Sequence, residues 1–250
     1  MTIKMTTREM PKAMKHGDLE EVFKNVFVVK GSLSFKKPLP MSFSRNMTVI
    51  REGDALTIVN SVRLSDEGLK QLDALGQVQN IVRLAGFHGM DDPFYKDRYG
   101  ATVWSVDAPY AVGTSTDPAA EDIYFAPDHK ISTATDLPIE DAQIVAINSA
   151  KPKEALLLLR RDGGILISGD CLQNWAKPDK YFSFLAKIFM RRGGFIKASN
   201  VGPAWLKFTK ADTAEIRGLL GLEFDKLIPA HGEVISSGAK ESYRPAISAL

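Results

Sequence analysis

Hydrophobic and polar residues alternate through residues 24–35 (KNVFVVKGSLSF), a Val- and Phe-rich stretch that predicts a β-strand. Two more strands are expected over 41–50 and 54–60, with Glu52, Gly53 and Asp54 as the turn between them. The period then lengthens. After Ser65, the side chains of Leu69, Leu72 and Leu75 share a helical face, and Gly76 closes the run. The short apolar run Ile81-Val82-Arg83-Leu84 predicts a buried strand leading into a polar loop at 86–93. The 94–99 stretch receives no element, and 102–104 reads as another short strand. Strand, helix, strand with short apolar strands points to a layered α/β architecture rather than an all-β barrel.

Residues 107–142 are rich in loop signals, including four prolines, with two short strands expected near 123–125 and Ile131. Three strands follow at 143–148, 154–159 and 164–168. The last two are joined by Arg160-Arg161-Asp162-Gly163, an Asp-Gly turn between apolar runs that signals a hairpin. One helix is expected to carry Phe182, Leu185, Ile188 and Phe189 on one face and to end at Gly193-Gly194. Another spans about 211–220, and a last strand at 225–228 runs into Pro229-Ala230-His231-Gly232. No linker divides the chain, so a single domain over 1–250 is expected, with residues 1–20 loosely ordered and His16 inside that frayed start.

Composition narrows the function classes. Lys and Arg number 32 against 30 Asp and Glu, too balanced for a polyanion-binding surface, so nucleic acid is not an expected partner. The lone Cys171 rules out an internal disulfide. No run of 18 apolar residues exists, so no transmembrane segment is expected. The mixed-charge start has no apolar signal core, and a cytoplasmic location is the expectation.

Only four histidines occur: His16, His88, His129 and His231. His88, Asp170 and His231 each follow a short apolar strand, and Asp92 lies in the same loop as His88. Polar groups at the carboxyl ends of strands converge on one rim in layered α/β folds, which groups these four. Taken alone, a loop histidine is more often a solvated or hydrogen-bonded side chain than a ligand. His129, in a Pro-flanked loop, reads as surface. A Cys171/His231 nucleophile pair lacks any activating context. No Gly-x-Ser-x-Gly elbow, P-loop or Gly-x-Gly-x-x-Gly occurs.

The order of these pieces resembles the metallo-β-lactamase fold superfamily of metallo-hydrolases and oxidoreductases. The likeness covers roughly residues 24–235. It rests on the spacing of Leu84, His88 and Asp92, on the GGILISGD run at 163–170, and on Pro229-Ala230-His231-Gly232. The resemblance implies a four-layer αβ/βα sandwich with two mixed sheets inside and helices outside. The superfamily's loop motif is His-x-His-x-Asp-His. Here His88 matches its first histidine and Asp92 its aspartate, while Met90 and Pro93 stand where the other two histidines belong. The next metal histidine of the superfamily falls near 148–150, where none is present. Asp170 matches the aspartate that bridges two metals, and His231 the last metal histidine.

The resemblance therefore implies a degenerate centre. The first metal site keeps only His88 and Asp170, since a thioether or hydroxyl is a poor zinc ligand. The second keeps Asp92, Asp170 and His231. Two readings stay open. One is a single divalent ion (zinc, manganese or iron) held by Asp92, Asp170 and His231, with Asp92 and His88 as catalytic residues and His88 orienting a water or taking its proton. It implies hydrolysis of an ester-, thioester- or lactone-like bond. The other is a metal-free binding or scaffold protein in which the same groups pair by charge-assisted hydrogen bonds.

Residues 181–205 interleave Tyr181, Phe182, Phe184, Phe189, Phe195 and Trp205 with Lys187, Arg191, Arg192 and Lys197. The plain reading is an amphipathic helix packed on the sheet with solvated basic ends. The sharper one is a cation-rimmed apolar wall favouring an anionic small molecule, or a homodimer face. Membrane-surface binding is a third reading, from a short basic run.

Overall fold

The computed structural model describes residues 10–35, 39–111 and 123–250. Strands β1 (Glu20–Phe23), β2 (Val26–Phe35), β3 (Met41–Glu52) and β4 (Ala55–Val59) form an antiparallel opening. Helix α1 (Asp66–Leu75), β5 (Gln77–Arg83), α2 (Asp92–Tyr99) and β6 (Thr102–Val106) follow. A small pair, β7 (Tyr110–Ala111) and β8 (Ile123–Phe125), precedes β9 (His129–Ile131). The second half contains β10 (Ala142–Ile147), β11 (Glu154–Leu159), β12 (Ile165–Ile167) and β13 (Leu172–Gln173). Then come α3 (Phe184–Arg192), β14 (Asn200–Val201), α4 (Pro203–Thr209), α5 (Thr213–Gly218) with a 3-10 turn, β15 (Lys226–Ile228) and α6 (Ala239–Ser248).

Two mixed sheets result. One has the order β1-β2-β3-β4-β5-β6-β9 and the other β10-β11-β12-β15. Period-2 alternation sorts their side chains. Val26, Val28, Val82 and Leu84 face Ala155, Leu157, Leu159, Ile165 and Ile167 in the core between the sheets. Phe27, Val29, Leu56 and Ile58 point the other way, against Leu69 and Leu72 of α1 and Tyr95 of α2. Leu156, Leu158 and Leu166 meet Trp205, Ile216, Tyr243 and Ile247 of α4, α5 and α6. The four-layer αβ/βα sandwich is the observed architecture. No helix among the described residues is long and apolar enough to cross a membrane.

Several elements depart from the pattern reading. The loop expected at 86–93 gives way to α2 at Asp92. Pro93 sits in that helix's first turn, where its missing N–H costs nothing, and Gly100 caps the end at φ 66°. Helices α4 and α6 and strand β1 were not foreseen. In α6 the buried Ala239, Tyr243 and Ile247 have clean helical spacing, but Pro245 interrupts the signal. Residues 1–9 lie outside the described residues, yet His16 is fastened rather than frayed. Its Nε2 accepts from the Ser65 backbone N–H at 2.8 Å, and the chain there bridges Gly31 in β2.

Most consequential is α3. Its buried residues are Ala186 and Met190, not the expected face. Phe182 precedes the helix and packs against Phe43 and Trp175. Leu185 and Ile188 are half-buried, and Phe184 and Phe189 are exposed.

The inter-sheet core predicts that Leu157→Ala, at a fully buried central position, lowers unfolding free energy by about 3 kcal/mol in urea denaturation.

Candidate metal centre

Parallel pairing of β12 with β15 brings the ends of both strands to one rim. Asp170 lies three residues beyond β12, and His231 three beyond β15. His88 arrives from β5 in the other sheet, so the two sheets must be tied at that rim. Asn60 does part of this: its side-chain amide donates to the Ser168 carbonyl at 3.2 Å and accepts from Leu84 N–H at 3.3 Å. The Ala155 N–H also reaches the Leu84 carbonyl at 2.8 Å. Asn46 of β3 donates to the carbonyls of Pro229 and Gly232, 2.8 Å each, and holds the His231 turn from both sides.

The loop carrying His88 is organised by Arg83. Its guanidinium is buried and donates to the carbonyls of His88 at 2.8 Å, Ala108 at 2.9 Å and Gly86, while stacking 4.0 Å above the Tyr110 ring. An arginine inside an apolar strand run is the sequence signal that could have marked it. Gly89 is required here: at φ 95° an added Cβ would lie 2.6 Å from Tyr110 and 2.8 Å from Arg83.

At the rim, His231 Nε2 stands 3.0 Å from Asp170 Oδ1, and His88 Nε2 stands 3.2 Å from Asp170 Oδ2. The two imidazole rings are 5.4 Å apart, edge to face. One ligand atom from each of His88, Asp170 and His231 lies within 4.8 Å of the others. His231 Nδ1 is 3.0 Å from the Ser44 carbonyl, which can only accept. That bond places a ring proton on Nδ1 and turns Nε2 toward Asp170. The Ser44 hydroxyl also accepts from Trp175 Nε1 at 2.9 Å, and the Trp175 ring lies 5.0 Å from His231. Burial by itself would push the Asp170 carboxyl up. The charge of His88 and the contact with His231 outweigh it and hold the group well below the usual carboxylate range.

Asp92 is not among the converging groups. It is fully buried, with one oxygen accepting from Ser61 Oγ and the other from Tyr110 Oη, both at 2.5 Å. Burial raises its pKa above the ordinary value against those two bonds. As the first residue of α2, its side chain is drawn into the protein beside Arg83 rather than onto the rim. The structure does not bring Asp92, expected as a ligand and catalytic group, together with Asp170 and His231; His88 stands beside them instead. Asp91 is turned away as well, paired with buried Arg45 at 2.6 Å.

Other expected residues lie elsewhere. Ser149 accepts from the Asp212 N–H at 2.8 Å and donates to Glu215, fastening α5. His129 stacks on Trp104 at 4.3 Å. Cys171 is buried, and burial followed by the nearby Glu154 pushes its thiol well up, so it is no thiolate nucleophile. Glu154, which the pattern reading passed over at the head of a wholly buried strand, accepts the Cys171 N–H at 2.7 Å behind Asp170. Its pKa is raised well above normal by burial and then by the charge of Asp170.

Solved structures share this chain's fold. The chain matches a metallo-β-lactamase from Erythrobacter litoralis (TM-score 0.58, 14% identity, 96% of each chain covered). It matches the DIM-1 metallo-β-lactamase (TM-score 0.62, 12% identity, 97% of this chain and 99% of that one). A third match is FIM-1 from Pseudomonas aeruginosa in its mono-zinc form (TM-score 0.60, 11% identity, 96% and 98%). The fold is the metallo-β-lactamase fold. No protein-family model matches the chain, and no curated protein matches it. Within the metallo-β-lactamase fold, this chain thus has a rim with two histidines and one aspartate gathered together, and a motif aspartate withdrawn into the protein.

Asp170 gives the rim a pH signature. Its pKa is depressed in the folded protein, so its stabilisation is present above the unfolded carboxylate value of about 3.9 and is lost as pH falls through the lower folded value. In metal-stripped protein, the stability advantage of wild type over Asp170→Asn in urea unfolding should shrink between about pH 5 and pH 2.

Proposed function

We propose that the protein is a mononuclear metal-dependent hydrolase whose ion is held by His88 Nε2, His231 Nε2 and one oxygen of Asp170. The observation that carries this reading is the buried Asp170 Oδ2. It has no hydrogen-bond partner, although the His88 Nε2 is only 3.2 Å away. An ion pair this close without hydrogen-bond alignment suits two ligands of a common cation better than a donor and its acceptor. Ligands bound at about 2.1 Å in tetrahedral array stand roughly 3.4 Å apart, and in octahedral array roughly 3.0 Å. The 3.0 and 3.2 Å separations run to different oxygens of Asp170, one to each ring, and one ligand atom from each of the three residues lies within 4.8 Å of the others.

The donor set fits as well. Two imidazoles and a carboxylate suit zinc, manganese or iron(II), with positions left for water and substrate. FIM-1, of the same fold, has been solved with one zinc. When bound, the ion supplies Lewis acidity and lowers the pKa of a coordinated water.

The chain's own groups do the rest. Ser44 holds His231 in the tautomer that presents Nε2, and Arg83 holds the backbone of His88. Asp170 would supply one oxygen for ligation, and its second oxygen could accept a hydrogen bond that orients the attacking water. Glu154, behind Asp170, has its pKa raised by burial and then by the charge of Asp170, which favours its neutral form. Asp92 steadies the start of α2 through Ser61 and Tyr110. Cleavage of an ester-, thioester- or lactone-like bond is the reaction class this arrangement suits. The metal-free reading has one observation in its favour, the direct pairing of Asp170 with both rings.

Elemental analysis separates the two readings. Protein purified without chelator should carry about one equivalent of zinc, manganese or iron, and Asp92→Asn should keep it. His88→Ala, Asp170→Ala and His231→Ala should each fall below about a tenth of an equivalent and lose turnover on an ester and thioester panel. Wild-type protein that takes up no metal on incubation with all three ions would leave the binding or scaffold reading standing.

A further inference from the structure

We propose that the outward face of α3 docks on an anionic lipid surface. Helix α3 is apolar on two sides. Ala186 and Met190 pack inward against Trp175 and Phe182. On the opposite side Phe184 is 75% exposed and Phe189 48% exposed, with Leu185 and Ile188 half-buried between them. A soluble helix normally turns charged side chains outward and buries one stripe. Here phenylalanines occupy the outward stripe. Phe35, also exposed, flanks the same cluster: its ring is 5.8 Å from Phe43, which packs into it.

Charge decides what such a face meets. Lys180, Lys187, Arg191, Arg192 and Lys197 are all exposed, and among the described residues none forms an ion pair. Between Asp179 and Asp212 the sequence has seven Lys and Arg and no Asp or Glu, while all 250 residues together carry only +2. The rest of the chain is therefore net negative by five, and five of the seven cations lie on α3 or within five residues of its ends. A second copy packed face to face would set like charge against like charge across the symmetry axis. An anionic bilayer satisfies both features at once, with the phenylalanines below the headgroups and the lysines and arginines at the phosphates. Trp175 bridges this region to the rim, its ring 5.5 Å from Phe182 and 5.0 Å from His231. Docking through α3 would therefore bring the histidine site near the lipid.

Sedimentation of the full chain with vesicles tests this. It should pellet with vesicles of equal parts phosphatidylcholine and phosphatidylserine, stay in solution with phosphatidylcholine alone, and be released by high salt. Phe184→Glu combined with Phe189→Glu should weaken binding by at least about tenfold. In Lys187→Glu/Arg191→Glu/Arg192→Glu, each lost charge should cost about fivefold. All five positions are exposed, and unchanged unfolding midpoints would certify the fold. Should a Glu variant unfold, Phe184→Ser/Phe189→Ser replaces it. Failure of wild type to pellet, equal pelleting with both vesicles, or unaltered binding in the variants overturns the proposal. So does a dimer abolished by the Phe variants in a protein that ignores vesicles. Metal content is untouched by any of these outcomes.

Discussion

A single buried carboxylate sets the terms for the rim. Asp170 is almost enclosed by protein, and a lone ionised group there would be expelled or neutralised. It stays charged because an imidazole stands beside each of its oxygens. That requirement reaches far into the fold. Parallel β12 and β15 put Asp170 and His231 side by side, but His88 has to come from the other sheet. The polar ties of Asn60, Asn46 and Ala155 are therefore not ornament on a sandwich held by hydrophobic contact. They fix the offset between two sheets that could otherwise slide on an apolar interface with little penalty.

Beside that rim, the loop after β5 has been put to a different use from the one its superfamily resemblance implies. Pro93 starts α2, and Asp92 is drawn between Ser61 and Tyr110. Both changes have one cause: a helix beginning at residue 92 turns that side chain toward the protein, and a hydroxyl on either side makes the burial tolerable. The carboxylate that would complete a second metal site has become part of the scaffold under His88. Arg83 works in the same direction. It supplies the donors that the backbone carbonyls of a tight glycine loop need once water is excluded.

Most strands were legible because their alternation or continuous apolar runs are local properties of the chain. The Asp162-Gly163 hairpin and the Gly53 turn were legible for the same reason: they need positive φ, and the residues announce it. Helices α2 and α6 escaped because each contains a proline, and periodicity cannot distinguish a proline that starts a helix from one that stops it. At α3 the sequence pattern predicts the helix, but the side it buries is the one carrying Ala186 and Met190. Leu185, Ile188 and Phe189 are the more apolar stripe, yet Trp175, Phe182 and Phe43 pack against the smaller Ala186 and Met190.

From the residues alone came the layered α/β class and the strand ends that carry His88, Asp170 and His231. These follow from composition and short-range pattern, which need no knowledge of distant neighbours. Which carboxylate joins the two histidines was settled only in three dimensions. Asp92 and Asp170 have equal chemistry and comparable sequence settings, and only the direction of one helix and the packing of Ser61 and Tyr110 separate them. The exposure of Phe184 and Phe189 was likewise decided by tertiary contact, since a helix with two apolar stripes does not say which one the core will take.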